Sequence, residues 1–181
     1  MFLGHYALGL AAKKAAPAVS LGMLFLAAQF ADLLWPTLLL LGVERVAIEP
    51  GNTVVTPLHF ISYPVSHSLV AIAFWTSAFA MAYALIGRSL RGAVVLGALV
   101  LSHWVLDLLM HGPDLPIVPG GIKVGLGLWN SLPATLAVEF GLLALGVWVY
   151  TRATIAKNRV GTFAFWGLVA FLVVVYVANV F

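Results

Sequence analysis

Ser102-His103-Trp104-Val105-Leu106-Asp107-Leu108-Leu109-Met110-His111 lies inside a long apolar run, yet it carries ionisable side chains at positions 103, 107 and 111. On an α-helix a spacing of four overshoots a full turn by about 40° and climbs roughly 6 Å. The three side chains therefore form one stripe over two turns. A carboxylate at the centre of a bilayer costs on the order of 2.5–3.5 kcal/mol even on insertion scales. A metal ion shared with polar groups from other helices would offset that cost.

Composition supports a membrane setting. The 181 residues are 63% hydrophobic and 8% charged, with a mean hydropathy of +1.09, whereas a soluble domain carries about 25% charge. The expectation is an all-α, polytopic membrane helix bundle forming one domain over residues 1–181. There is no cysteine, which excludes disulfides and thiolate metal sites. Any metal must be held by His and carboxylate. The net charge of +3 is small, and its positives flank apolar spans. That pattern is an orientation signal and argues against nucleic-acid binding.

Residues 2–12 are apolar but too short to span, and no basic residue precedes them as in a signal peptide. The expectation is a short half-inserted helix carrying His5 and stopped by Lys13, Lys14 and Pro17. The alternative is an interfacial helix with His5 among the headgroups. Residues 18–41 form the first full span. Pro36 follows Asp32 by four and removes the N–H that would bond the Asp32 carbonyl, so a kink is expected there.

Residues 42–64, with Glu44, Arg45, Glu49, Asn52 and His59, read as an irregular polar loop in which His59 is solvated. The second span, 65–86, opens with Ser66-His67-Ser68. Arg88 and Arg91 mark a tight turn, and residues 92–111 are the third span. The Gly- and Pro-rich residues 112–132 form a loop and a candidate lid. Residues 133–151 are the fourth span and contain Glu139. Residues 161–181 have no ionisable side chain and read as an accessory scaffold. The total is about five transmembrane helices plus the half-inserted one.

Basic residues at 13/14, 88/91 and 152/157/159 fall on alternate loops on one side. The positive-inside rule places that side, with the amino end, in the cytoplasm and the carboxyl end outside, in a cytoplasmic (plasma or inner) membrane. A rise of about 1.5 Å per residue puts His5 roughly 12 Å in from that side, His103 about 17 Å, Glu139 about 19 Å, Asp32 about 20 Å and Asp107 about 23 Å, with His67 and His111 near 28–30 Å. Polar groups from five segments thus converge on the middle and outer half of the bilayer.

The spacing of His103 and Asp107 places both on one ion, and imidazole with carboxylate suits zinc, iron or manganese. A His–Asp hydrogen bond fastening two helices is the plainer alternative. His111 fits a further ligand, a group supporting the ligands, or an interfacial histidine. His67 reaches Asp107 if the second span starts below the surface. Asp32 has no lysine or arginine at its depth. Glu139 fits a ligand, a general base for the attacking water, or a protonated packing carboxyl.

Gly4-His5 with Gly9, Asp32, Ser66-His67-Ser68-Leu69 and Ser102-His103-x-x-x-Asp107-Leu108 together resemble the YdjM-like family of membrane-bound metal-dependent hydrolases over residues 2–150. The order also resembles the zinc-dependent phospholipase C and single-strand nuclease group. This chain has one Asp at position 32 where the family often has a denser Asp/His cluster, and Tyr63-Pro64-Val65 where the family often has an Arg. The resemblance implies metal binding by His5, Asp32, His67, His103 and Asp107. Metal-activated water would attack an ester or phosphoester of an amphipathic, lipid-like substrate, with Asp107 and Glu139 as the catalytic groups and membrane lipids as partners. Two rivals stand beside this. One is a proton- or ion-coupled carrier, for which intramembrane His and Asp relays are typical. The other is a non-catalytic protein whose polar cluster holds helices together.

Overall fold

In the computed structural model, residues 1–86 and 89–181 are described. The expected turn at Arg88 therefore lies outside the described residues. Seven α-helices dominate: α1 (Leu3–Ala15), α2 (Leu21–Ala28), α3 (Phe30–Leu40), α4 (Leu69–Leu85), α5 (Leu90–Met110), α6 (Leu132–Ala153) and α7 (Arg159–Val180). Their starts follow from local chemistry. Ser20, Ser68, Ser89, Ser131 and Asn158 each accept a backbone N–H from three residues on, as N-caps do. Among the described residues, α5, α6 and α7 are long and apolar enough to cross a membrane, and α2 with α3 makes a fourth if that bent pair is one span. The 17-residue α4 is apolar but shorter.

The short first helix lies at the centre of the bundle. Leu3, Gly4, His5, Ala7, Gly9 and Leu10 of α1 are all buried. Its main neighbour is α6, followed by α2 and α5. Gly146 of α6 makes the approach possible: a Cβ there would stand 2.5 Å from the Ala7 carbonyl oxygen. The helix is stopped at its basic end by a turn that Lys13 ties, its Nζ donating to the carbonyls of Pro17 (2.8 Å) and Val19 (2.6 Å).

The kink in the first span is real but lies elsewhere. The helix breaks at Gln29, with a 56° bend between α2 and α3, and runs on through Pro36. The Ala28 carbonyl explains the place, because it accepts a hydrogen bond from His103 Nδ1 at 2.8 Å. A side chain from another helix has drawn that carbonyl out of the ladder, which is one of the recognised causes of a bend.

The segment expected to be an irregular loop holds a hairpin. β1 (Arg45–Ile48) pairs antiparallel with β2 (Leu58–Ser62), with a register irregularity between Arg45 and Val46. Phe60 turns inward to pack with Trp35, Tyr63 and Trp129. His59 is exposed and pairs with Glu49 at 2.9 Å, as a solvated residue should.

The Gly/Pro-rich connection is fastened to the end of α5. β3 (Leu115–Pro116) pairs with β4 (Lys123–Val124). Leu126 N–H then donates to the Leu108 carbonyl (2.8 Å) and Gly127 N–H to that of His111 (2.6 Å). These bonds occupy carbonyls that a helix end leaves unpaired. Gly125 permits the contact, since a Cβ there would run into the carbonyl oxygens of Gly112 and His111.

Candidate metal centre

His103 and Asp107 project from α5 as one buried stripe, exposed by 0% and 1%. His103 Nδ1 donates to the Ala28 carbonyl. A carbonyl can only accept, so Nδ1 carries a proton, and in the neutral ring Nε2 carries the lone pair. That Nε2 is buried and has no hydrogen-bond partner. It stands 3.2 Å from Asp107 Oδ2 and 3.5 Å from Asp32 Oδ1.

His67 arrives from just before α4, where Ser68 caps the helix. His67 reaches both carboxylates: its Nε2 is 3.4 Å from Asp32 Oδ1 and 3.7 Å from Asp107 Oδ2. Asp32 is carried in by α3 after the bend, and its side chain is 41% exposed. Four donor atoms from two helices, α3 and α5, and the entry to α4 thus lie close together.

Their spacing can be tested against an ion. Ligands about 2.0–2.1 Å from a tetrahedral zinc lie roughly 3.4 Å from one another. The four separations above run from 3.2 to 3.7 Å. Two imidazoles and two carboxylates are also the right chemistry for zinc, manganese or iron. An ion would also give the buried His103 Nε2 a partner, where an unmatched buried polar atom costs about 1–3 kcal/mol. The residues fit the ion.

His5 stands on the other oxygen of the same aspartate, with Nε2 3.1 Å from Asp107 Oδ1. Its ring stacks on His103 at 3.8 Å between centroids, and its Nδ1 has no partner. His5, His103 and Asp107 therefore make a second ligand group overlapping the Asp32, His67, His103 group. The α-amine of Met1 lies 2.7 Å from the same Oδ1. Among the described residues no lysine or arginine pairs with Asp32, Asp107 or Glu139. Compared with protein-family models, with curated proteins and with solved structures, the chain matches none.

Glu139 lies beside this cluster but faces α1. Its Oε1 accepts from Phe2 N–H at 2.9 Å and its Oε2 from Gly4 N–H at 2.8 Å. A carboxylate from α6 thus does for α1 what an N-cap does, at the positive end of the helix dipole. Each oxygen keeps a second lone pair.

His111 stays outside both ligand groups. Its Nδ1 pairs with Asp114 at 3.0 Å and lies 3.3 Å from Tyr63 Oη. Burial, with the Asp114 carboxylate beside it, pushes the Tyr63 phenol up. That phenol is a protonated donor at any physiological pH. The His111 ring packs among Phe60, Tyr63 and Trp129.

A cavity of about 520 Å³ connects these parts. Asp32, His67, Asp107 and Glu139 line its polar end, and Trp35, Pro36, Pro57, Leu58, Phe60 and Trp129 line apolar walls. Tyr176, Asn179 and Val180 also line it. The final helix is therefore part of the cavity wall, which its lack of ionisable residues gave no reason to expect. A second residue that the sequence did not single out is Glu44. It lies in the connection after α3, only 2% exposed, bonded to Val65 and Ser66 next to His67. Its neighbours in the chain, Val43 and Arg45, are exposed, so local composition carried no sign of burial.

Proposed function

We propose that the chain is a membrane-embedded, metal-dependent hydrolase that cleaves an ester or phosphoester of an amphipathic, lipid-like molecule. One observation carries the reading. Two carboxylates and two imidazoles, whose four His–carboxylate separations are 3.2–3.7 Å, stand at a cavity whose remaining walls are largely apolar. Asp32, His67, His103 and Asp107 hold the ion, and His5 holds the outer oxygen of Asp107 or a second ion. A divalent ion, zinc before manganese or iron, supplies Lewis acidity toward the ester or phosphoryl oxygen and brings the pKa of water near 7.

The protein side of the chemistry follows from placement. Glu139 lines the cavity and has lone pairs to spare, so it takes the proton of the attacking water. Four protein ligands would fill a tetrahedral shell, so water and substrate would take a fifth position, on the cavity side where Asp32 is half-exposed. Trp35, Pro36, Leu58 and Val180 accept the apolar part of the substrate while its ester reaches the polar end. The resemblance to the YdjM-like family supports the same reading.

The membrane arrangement belongs to this proposal. Five passes result if α2 with α3 is one span and α4 another. Basic residues place the 87–91 and 152–160 loops in the cytoplasm. The cavity mouth, on the side of the β1–β2 hairpin, then faces outward from the inner membrane.

Metal analysis of the purified protein together with its thermal unfolding tests the reading. Stoichiometric zinc, manganese or iron is expected. Chelation should abolish hydrolysis of lipid phosphoesters in mixed micelles. Returning the ion at about a thousand times its Kd should restore about 4 kcal/mol of stability. Protein that carries no metal, and whose unfolding no divalent ion shifts, would overturn the proposal in favour of a carrier or a structural cluster.

A further inference from the structure

The carboxylate of Glu44 is buried, and among the described residues no cationic group pairs with it. Its Oε1 accepts from the backbone N–H of Val65 and of Ser66, both at 2.8 Å, and its Oε2 from Ser66 Oγ at 2.6 Å. The same Ser66 Oγ lies 2.6 Å from His67 Nδ1. A serine hydroxyl has one proton, and here it points to a carboxylate, which can only accept. The His67 contact must then run the other way, with Nδ1–H donating to Ser66 Oγ. In the neutral ring that leaves the lone pair of His67 on Nε2, the atom that faces Asp32 and Asp107.

We infer that Glu44 is a positioning residue for the metal centre: through Ser66 it fixes the tautomer of His67 that can bind a metal ion. The usual device is a carboxylate bonded directly to the ligating histidine, and losing such a partner typically weakens metal binding 10–100-fold. Here a serine stands between, and the polarity of the relay is set at its far end. The inference deepens the hydrolase reading and rests on His67 being a ligand.

The relay has a sharp consequence. In Glu44→Gln the amide oxygen can still accept both backbone N–H groups, so the shape and most of the bonding survive. The amide NH₂ would replace Oε2 and donate to Ser66 Oγ. The serine proton would then turn to His67 Nδ1, and the ring proton would move to Nε2, where it blocks coordination. An isosteric change at a residue that touches no ligand should therefore remove metal affinity without unfolding the protein. Ser66→Ala should have a weaker effect, because it frees the tautomer but does not enforce the wrong one.

Long-range ¹⁵N–¹H spectra of ¹⁵N-histidine-labelled protein read the tautomer, with His67 assigned by its loss in His67→Asn. Titration with Co²⁺, followed by its visible absorption, reads the site. Metal-free wild type should show His67 protonated on Nδ1, and Glu44→Gln should show it on Nε2. The Co²⁺ dissociation constant should rise about 10–100-fold in Glu44→Gln, with less change in Ser66→Ala and an unmoved metal-free melting temperature. An Nε2 proton in wild type would overturn the relay by itself, even if no variant folds. So would equal Co²⁺ affinity in folded wild type and Glu44→Gln. Wild type that has the Nδ1 proton but binds no Co²⁺ keeps the relay and removes the hydrolase reading instead.

Discussion

At the scale of the residue, Asp107 concentrates the chemistry. Its Oδ1 meets His5 and the Met1 amine, and its Oδ2 meets His103 and His67. Asp107→Asn should leave the protein inserted and folded but lose metal and hydrolysis together. Asparagine has the same shape, and the change removes one anion from a low-dielectric site where charge terms are large. If Asp107 only fastened helices, asparagine could still accept a hydrogen bond and the loss of charge would be tolerated or mildly stabilising. Metal content and melting temperature measured side by side decide. Unchanged metal with unchanged or raised stability would sink the ligand role. Glu139→Gln gives a second residue-level test. Only one amide atom can accept, so either Phe2 or Gly4 N–H is orphaned, at a cost of about 1–3 kcal/mol. Equal denaturant stability of the two proteins would contradict the cap.

The stripe on α5 was legible at His103 and Asp107, which stand out against an apolar helix at a helical spacing; His111, expected as its third member, lies past the helix end in extended backbone and turns to Asp114. His5, Asp32 and His67 were legible by type and depth. What stayed hidden were partners with no distinctive residue type: the Ala28 carbonyl that fixes His103, and the backbone N–H groups that hold Glu44 and Glu139. Glu44 in particular meets its partners about twenty residues further on, a pairing that periodicity cannot reveal.

At the scale of the element, the first helix and the last behave differently from what their composition suggests. α1 is too short to span, yet it fills the bundle centre and delivers His5. Its seat depends on Gly146. Gly146→Ala should push a methyl into the Ala7 backbone, costing about 1–3 kcal/mol as overpacked cores do, and should weaken metal binding because His5 moves with the helix. Unfolding midpoints and Co²⁺ titration check both; an unaltered midpoint would mean that the two helices can separate freely. For α7, truncation after residue 158 should leave metal content intact, since no side chain of the helix belongs to a ligand group. The truncated protein should instead lose turnover on long-chain substrates, because Tyr176, Asn179 and Val180 wall the cavity. Loss of metal from a folded, monodisperse truncate would overturn that division of labour. The misplaced kink belongs at this scale too. Proline at position 36 was the visible cause, but the helix bends where His103 takes a carbonyl, an event between helices that the local sequence does not encode.

At the scale of the whole molecule, the question is which face the cavity opens to. The hairpin residues Pro57, Leu58 and Phe60 and the end of α7 line the cavity, while basic residues stand at the carboxyl ends of α1 and α6. α6 ends near Arg152 and α7 begins at Arg159, so Lys157 lies in a turn with positives on both sides. In the proposed topology such a turn would be held on the cytoplasmic side by about 1 kcal/mol per basic residue near an anionic leaflet, and by the orientation bias that short basic loops carry. The chain has no cysteine, so single substitutions report cleanly. Ile155 is 97% exposed and Val54 63% exposed, one at the basic turn and one in the hairpin loop. An impermeant maleimide added to intact cells should label Val54→Cys at once and Ile155→Cys only after the membrane is opened. The reverse pattern would put the hairpin and the cavity mouth in the cytoplasm. The substrate would then have to come from the inner leaflet, although the ligand geometry around Asp107 would be untouched.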